Sequence, residues 1–563
     1  MRFLSHMLIS FTKLIWRFRL EIILLLLIVP AVWNIFLPDF FPMHDDLQVF
    51  RLYEVHKCVL DGQIPCRWVP DPGFGYGYPL MEFYPPMPYY PMELMVLMGA
   101  GYFLPVKVMF ALAFFLSGLG MYLLAKEFFG KWGGVLSAIL YVYSPYHSVD
   151  IYVRGAMNEG WGLVWFPFVL LYIYRLITKD KSRTNLLLLS VALALQLTSH
   201  NVMTLVFAPT AIIWALFWMW KTNKFSAIKD LFFAGIFGIG LSAFFFLPVI
   251  LEQKFVHVDT MTIGYFNYLA HFADIKQLFL SRFWGYGGST WGPEDGMSFS
   301  IGHIQWIGAI IVSLVALLRF KKQKTTSLMI LMLVAFGFAY AFLTHSRSNP
   351  IWERIGILQY SQFPWRLVAL TVLYFSFAAG YLSTVSLPKI FKPLLFLILI
   401  IGIILFNLQF FRFERHVRVT LQEKLSGRSW ENQVTGGIFD YLPRSAPKPP
   451  GAPAFTIPIF SEGYGGVLNF KSGTNWMSFD VNVSSPSAKV MLPLYTFPGL
   501  NTEVDGKKVK TEIDPDLGRV VVSLDQGNHY IYSKIGYTPV RFASDLITLF
   551  SIILLIKLFR HDR

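Results

Sequence analysis

Apolar runs recur along almost the whole of this sequence. There are about 12 of them, each near the roughly 20 residues that a helix needs to cross hydrocarbon. They lie near residues 20–37, 105–125, 132–146, 159–178, 184–199, 202–220, 231–250, 304–319, 326–343, 366–384, 391–411 and 541–558. In lipid the backbone must satisfy its own polar groups, so runs of this length predict membrane helices. Composition agrees, because 55% of the 563 residues are hydrophobic, 17% aromatic and only 15% charged. That mixture excludes a soluble single-domain enzyme, a disordered chain and a disulfide-stapled secreted module. The 48 Lys and Arg exceed the 34 Asp and Glu, and in a membrane chain such an excess marks cytoplasmic loops rather than a nucleic-acid partner.

The basic residues set the expected sidedness. Arg2, Lys13, Arg17 and Arg19 precede the first run, and no small-residue cleavage site follows it, so the reading is a retained first span with a cytoplasmic N-terminus. Met92 to Leu104 is apolar, but it covers only about 20 Å as a helix, follows Pro86, Pro88 and Pro91, and carries Glu93. The expectation is an interfacial helix that does not cross. On that basis the basic connections all fall inside: Lys126 and Lys131; Lys179, Lys181 and Arg183; Lys221, Lys224 and Lys229; Arg319, Lys321, Lys322 and Lys324; Lys389 and Lys392; and finally Lys557, Arg560 and Arg563. A crossing at Met92 would invert every loop up to Lys392.

The expected fold class is therefore a polytopic α-helical membrane protein with an extracytoplasmic β-sandwich near its C-terminus. Residues 1–411 form the transmembrane domain, with a first outer loop at 38–104 and a second large one at 252–303. Residues 412–540 form the β-rich domain, and 541–563 a C-terminal anchor. Short β-type runs appear at 478–483, 489–494, 519–524 and 529–533, and Asp505-Gly506 signals a tight hairpin. Cys58 and Cys66 are the only cysteines. A disulfide and two reduced buried thiols are both compatible with them, and no Cys/His cluster has metal-site spacing.

The polar residues of the outer face are where chemistry can reside. His44-Asp45-Asp46 opens the first outer loop just after the first span, where a carboxylate in a cleft could serve as a general base, or where a solvated turn could sit. Arg51, Trp68 and Tyr78 follow in a loop whose Gly73-Phe74-Gly75-Tyr76-Gly77-Tyr78-Pro79 stretch combines sharp turns with aromatic faces. Such faces stack on a sugar, cover a lipid headgroup, or form a rigid interfacial belt. Asp150, Tyr152, Arg154 and Glu159 cluster between the third and fourth spans, and an ion pair that only orders the loop is the plain alternative. His200 and Asn201 lie at the outer end of the fifth span, where a helix cap would explain them. Trp365 and Arg366 open the tenth, where a guanidinium could hold a phosphate or merely snorkel from a helix end.

Taken in this order, the pieces resemble a known family. His44-Asp45-Asp46-Leu47-Gln48 with Arg51, Asp61-Gly62-Gln63-Ile64-Pro65-Cys66-Arg67-Trp68, Gly75-Tyr76-Gly77-Tyr78-Pro79 and Phe83-Tyr84-Pro85-Pro86 are similar to the membrane domain labelled 6-pyruvoyl-tetrahydropterin synthase-related. Tyr152-Val153-Arg154-Gly155-Ala156 with Glu159, Ser199-His200-Asn201, Leu241 to Pro248 and Phe363-Pro364-Trp365-Arg366 continue the match. Phe497-Pro498-Gly499-Leu500 and Val504-Asp505-Gly506-Lys507 resemble the outer domain of YfhO-type proteins. Nothing in the sequence looks like a soluble pterin-synthase zinc site, so the label does not carry that activity.

The resemblance implies a GT-C type membrane glycosyltransferase, with an active site on the extracytoplasmic face and an essential first-loop acid. Asp45 fits that position best and Asp46 is the adjacent alternative. The implied reaction moves a sugar from a polyprenyl-phosphate-linked donor to a glycan, lipid or protein acceptor of the cell envelope. It is an inverting single displacement in which the Asp takes the acceptor proton. Arg366, then Arg154, are the expected phosphate partners, with Asp150 and Glu159 orienting the acceptor or the base, and His44 and His200 bonding sugar or phosphate. No cofactor is required on this reading; a divalent cation held by Asp45 with Asp150 or Glu159 is left open. The rival functions are a lipid or solute transporter or flippase, against which the near absence of charge within the runs argues, and a non-catalytic envelope scaffold.

Overall fold

The computed structural model describes residues 19–179, 183–292, 294–386, 388, 391–437 and 439–560. Arg2, Lys13, Arg17, Lys181, Lys389 and Arg563, on which part of the sidedness argument rests, lie outside the described residues.

Among the described residues, seven helices are long and apolar enough to cross a membrane: Phe103–Val142, Met157–Thr178, Asn201–Thr222, Lys324–Leu343, Pro364–Thr384, Pro393–Phe410 and Pro539–Leu558. The chain is a multi-span membrane protein whose helices follow the apolar runs, with four departures, one being the run at 184–199, whose 17-residue helix Arg183–Ser199 is not among the seven. The runs at 105–125 and 132–146 join in the 40-residue stretch Phe103–Val142, broken only at Gly130, whose φ of 73° is cheap for glycine and for no other residue. The run at 231–250 is bent by 84° between Phe225–Leu241 and Ala243–Phe255, an eighth span if the two halves are one. The runs at 20–37 and 304–319 are shorter apolar helices, Leu20–Phe36 and His303–Leu318.

The bend has a visible chemical cause. The Ser242 hydroxyl donates back to the Gly238 carbonyl at 2.9 Å, and the Phe244 N–H donates instead to the Thr548 hydroxyl at 2.9 Å. Thr548 in turn donates to the Gly240 carbonyl at 3.1 Å, so one side chain satisfies both backbone groups released by the break. Where an interfacial helix was expected over Met92 to Leu104, the structure has a helix Tyr89–Leu97, of nine residues, that begins before Pro91. It rises about 13 Å, well short of the hydrocarbon core.

Contacts group the chain into two compact units that interleave in sequence. The first comprises 1–46, 107–236 and 265–418, and the second 47–106, 237–264 and 419–563. Residues 47–106, expected as a loop of the membrane domain, thus pack with the C-terminal sheet.

The second unit is built on seven strands: β1 (Ile459–Glu462), β2 (Gly465–Ser472), β3 (Trp476–Tyr495), β4 (Leu500–Val504), β5 (Lys507–Val509), β6 (Glu512–Ile513) and β7 (Arg519–Ile535). They form one antiparallel sheet ordered β1-β3-β7-β4-β5, with β2 also on β3 and β6 also on β7. A sandwich of two sheets was expected. The paired runs at 478–483 and 489–494, and at 519–524 and 529–533, are instead single long strands. Their register shifts between Val483 and Ser487 and between Met491 and Tyr495. Bulges at such shifts bend the strands, which lets one sheet enclose the core that two were expected to share. The β4–β5 hairpin turns at Asp505-Gly506 with φ of 52° and 74°, as the sequence predicts.

The core of this unit takes in first-loop aromatics. Trp68, Tyr76 and Phe83 are buried with Phe479, Val490, Leu492, Val522 and Ile531, each ring contributing about 1.5–3 kcal/mol through burial. Helix Gln48–Leu60 ends at Asp61, and Cys58 and Cys66 are joined by a disulfide across Cα atoms 5.5 Å apart. Asp61 then accepts hydrogen bonds from the Thr474 N–H and hydroxyl, both at 2.7 Å, and from the Trp476 indole at 3.1 Å. Burial works to raise its pKa, but these donors outweigh it and hold the carboxyl below its ordinary value.

Glu82 and Glu252 share one guanidinium, that of Arg541, at 3.0 and 2.9 Å. One cation cannot neutralise two buried carboxylates, and burial pushes Glu82 up to about 8 against the opposing pull of Arg541. A carboxyl that is harder to ionise in the folded state makes stability fall as pH rises between its unfolded value and about 8. The thermal midpoint of the detergent-solubilised chain is therefore expected to drop between pH 5 and pH 8, and Glu82→Gln to flatten that slope. An unchanged slope in the variant would refute the assignment.

Candidate active site

The site is assembled within the first unit, from four segments that are remote in sequence. Ser144 caps a short helix, Pro145–Ser148, by accepting the His147 N–H, with Pro145 at its first position. The chain then widens into a π-turn, Val149–Val153, closed by the Arg154 N–H donating to the Val149 carbonyl at 2.9 Å. Wide turns of this kind re-aim side chains and concentrate at functional sites. Gly155 follows with φ of 64°, and helix Met157–Thr178 begins, carrying Glu159 in its first turn, where a carboxylate suits the helix dipole.

Asp150, Arg154, Glu159 and Arg366 meet as a buried ionic cluster. The Arg154 guanidinium bonds Asp150 and donates to Glu159 Oε2 at 2.8 Å. Arg366 Nε reaches the same oxygen at 3.1 Å across 207 residues of sequence, while the Tyr146 hydroxyl donates to Glu159 Oε1 at 2.7 Å. Arg366 Nη1 is further held by the Ser361 carbonyl at 2.8 Å and Gln362 Oε1 at 2.9 Å. Arg154 lies over the Trp365 ring at 4.5 Å, and that ring is fixed by the Phe363 and Phe299 stacks and by a hydrogen bond to Ser289.

The two carboxylates of the cluster sit in different surroundings. Burial, then the neighbouring Glu159 carboxylate, raises Asp150 well above the ordinary value against the pull of Arg154. Its Oδ2 is buried without a hydrogen-bond partner among the described residues, a position costly for an anion and tolerable for a neutral acid. Both guanidinium groups share the Glu159 carboxylate. His200 caps helix Asn201–Thr222 by accepting the Met203 N–H on Nδ1 at 3.1 Å. Burial, and then the charge of Arg366, push it down to about 3. The ring is neutral, and Nε2–H is its donor.

Backbone pairing ties the start of the first loop to the Val153–Arg154 turn. The His44 N–H donates to the Val153 carbonyl at 3.1 Å, and the Asp45 N–H to the Arg154 carbonyl at 2.8 Å. The chain leading in is anchored by Lys107, whose ammonium donates to the carbonyls of Leu37 and Asp39 at 2.8 and 2.6 Å. His44 is exposed and bonds the Tyr286 carbonyl through Nε2 at 2.9 Å, while Asp45 and Asp46 are half-buried. A methyl group at Gly155 would sit 2.2 Å from Met43 Sδ. Gly155→Ala is therefore expected to cost about 1–3 kcal/mol, read as a lowered thermal midpoint. Gly99→Ala, with φ of 91° but open space, isolates the backbone share of that cost.

Not every residue named from sequence joins the cluster. Tyr152 is fully buried, its hydroxyl donating to the Ala31 carbonyl at 2.5 Å and its ring against Phe413, so it acts in packing. Trp365 supports Arg154 from beneath. Asn201 is the first residue of its helix. Arg51, Trp68 and Tyr78 belong to the second unit. There Arg51 lies 4.2 Å over the Tyr84 ring, Tyr78 packs beside Tyr441, and Trp68, 2% exposed, packs on Phe497. Tyr146 was grouped from sequence with Asp150, Arg154 and Glu159 between the third and fourth spans; Lys107, Ser289 and Tyr286 were not singled out, and of these only Lys107, a charge inside an apolar run, carried a signal.

Among the described residues, no group of three or more His, Cys, Asp or Glu side chains is arranged to hold a metal. Asp150 and Glu159, the carboxylates considered as oxygen ligands, are already paired with guanidinium groups. Two guanidinium groups against these carboxylates make a poor setting for a divalent cation.

The fold and site together define a multi-span membrane protein with a buried ionic centre. Comparison with known proteins adds that residues 84–251 match the family described as dolichyl-phosphate-mannose-protein mannosyltransferase. An uncharacterized protein of Lactococcus lactis subsp. cremoris (strain MG1363) is 22% identical over 369 residues, covering 62% of this chain and 55% of its own length. The chain thus spans about half the length of that curated relative. Among solved structures, the Archaeoglobus fulgidus oligosaccharyltransferase tethered with an acceptor peptide aligns at TM-score 0.42 and 12% identity, over 73% of this chain and 56% of that one. The arabinofuranosyltransferase AftD from Mycobacteria aligns at TM-score 0.41 and 14% identity, over 75% of this chain and 27% of that one.

Proposed function

We propose that the chain is a GT-C type membrane glycosyltransferase that transfers a sugar from a polyprenyl-phosphate-linked donor to a cell-envelope acceptor on the extracytoplasmic face. The observation that carries this reading is the pair of main-chain hydrogen bonds from His44 and Asp45 to Val153 and Arg154. They seat an acidic segment beside a centre with two guanidinium groups and one shared carboxylate, which is the pairing of base and anion site that such a displacement needs. The match of residues 84–251 to a family named for a lipid-phosphate sugar supports the donor class.

In the proposed reaction Asp45, with Asp46 as its neighbour, removes the acceptor hydroxyl proton while the oxygen attacks the anomeric carbon. The lipid phosphate leaves from the opposite face with the bonding pair, stabilised by Arg366 and Arg154, and the configuration inverts. His200 Nε2–H is a neutral donor for a sugar hydroxyl or a phosphate oxygen. Trp365 and Tyr146 hold the cations and Glu159 in place without touching substrate.

The test is sugar transfer in proteoliposomes supplied with radiolabelled polyprenyl-phosphate sugars. Label is expected in an envelope acceptor fraction with the native chain and not with empty liposomes. Arg366→Ala is expected to lower turnover for the lipid-phosphate donor. Failure of every donor to yield transfer would overturn the reading.

A further inference from the structure

The second unit holds a cavity of about 600 Å3, within the roughly 300–1,000 Å3 typical of ligand sites. Its walls include five half-buried aromatic residues, Phe74, Trp430, Phe455, Phe470 and Trp476, together with the polar side chain of Asn475. Among the described residues no lysine, arginine or histidine lines it, whereas Glu431 and Asp71, the latter with its carboxylate paired to Lys57, do. We propose that this cleft binds a glycan built of uncharged or amino sugars, through stacking of sugar faces on its rings and hydrogen bonds at its polar edge. The proposal stands apart from the transfer reading, since it concerns a different unit and needs no reaction.

The physical argument is one of preorganisation and charge. Trp476 is set in place before any ligand arrives: its indole N–H donates to Asp61 at 3.1 Å and its ring stacks against Tyr532. The turn that carries it is clamped by Asp61 and by Gln63, whose amide donates to the Thr474 hydroxyl at 3.0 Å. On another wall, Phe74 has φ of 60° between Gly73 at 72° and Gly75 at 91°. It is stitched by its N–H to the Val434 carbonyl at 3.2 Å and by its carbonyl to the Ala454 N–H at 2.8 Å. Trp430 meets Phe50 and Tyr53 edge-on.

Rigid rings give contact area at little entropic cost on binding. With Asp71 balanced by Lys57, the Glu431 carboxylate leaves the lining net negative, which disfavours phosphate- or uronate-bearing polymers and accepts neutral or ammonium-bearing sugars. The Asp61-Gly62-Gln63 and Gly73-Phe74-Gly75 motifs thereby gain a role that the transfer site does not give them.

The test titrates the full-length solubilised chain with chitotetraose, with its deacetylated cationic counterpart, and with tetragalacturonate, following tryptophan fluorescence and calorimetry. Saturable binding of the first two and none of the third is expected. Trp430→Ala and Phe455→Ala should each weaken binding at least about tenfold. Glu431→Gln, at an exposed position that the fold does not need, should weaken only the cationic tetramer. The proposal is overturned by absence of saturable binding to both sugars, by preferred binding of tetragalacturonate, or by unchanged affinity in folded Trp430→Ala and Phe455→Ala. Folding of each variant is judged by circular dichroism and an intact Cys58–Cys66 disulfide.

Discussion

Asp45→Asn should reduce sugar transfer by about 10²–10⁴-fold, the range that a positioned general base supplies. The substitution keeps the size of the side chain and the main-chain bond to Arg154, which does not involve the carboxylate. The thermal midpoint should stay close to native while turnover collapses. Asp46→Asn is the informative comparison, because it alters the same local charge from the next position. A large loss in Asp46→Asn alone would move the base by one residue. Native turnover in both variants would refute a first-loop base altogether.

Glu159→Ala is expected to be the most damaging single change to the first unit, at about 3–5 kcal/mol, the usual consequence of removing one partner from a buried ion pair. Its carboxylate is 1% exposed and accepts from Arg154, Arg366 and Tyr146. Without it two guanidinium groups, each 8% exposed, lose the carboxylate they share and repel one another. The double variant Glu159→Ala with Arg366→Met should regain part of that loss, because it removes one of the stranded charges. Equal or additive destabilisation in the double variant would show that the cluster does not act as a unit. Thermal midpoints of the solubilised chains, compared with transfer rates, separate folding from chemistry.

Much of the helical part of this molecule was legible because it depends on apolar length alone. The runs named from sequence fall on helices, and the segment around Pro91 holds a helix of only nine residues, Tyr89–Leu97. The 84° bend at Ser242 was not legible, since the residue that makes it tolerable, Thr548, lies 304 positions away. The two strands β3 and β7 were each read as two, because bulges interrupt the alternation by which strands are recognised. Trp68 illustrates a more general difficulty. An aromatic residue in a glycine-rich loop reads the same whether it faces a sugar or the core, and here it packs on Phe497. The partners within the ionic cluster were each named, but their meeting was not. The 207-residue separation of Arg366 and Glu159 leaves no periodic trace.

The bonds that tie His44 and Asp45 to Val153 and Arg154 are made entirely by main-chain atoms. Any residue except proline can make them, so the register between the acidic segment and the cationic turn does not depend on which side chains stand there. Side chains at His44 and Asp45 can accordingly be altered one residue at a time without disturbing the main-chain bonds that align them. That separation makes the site evolvable: new donor or acceptor preferences can be explored by point substitution while the alignment is inherited unchanged.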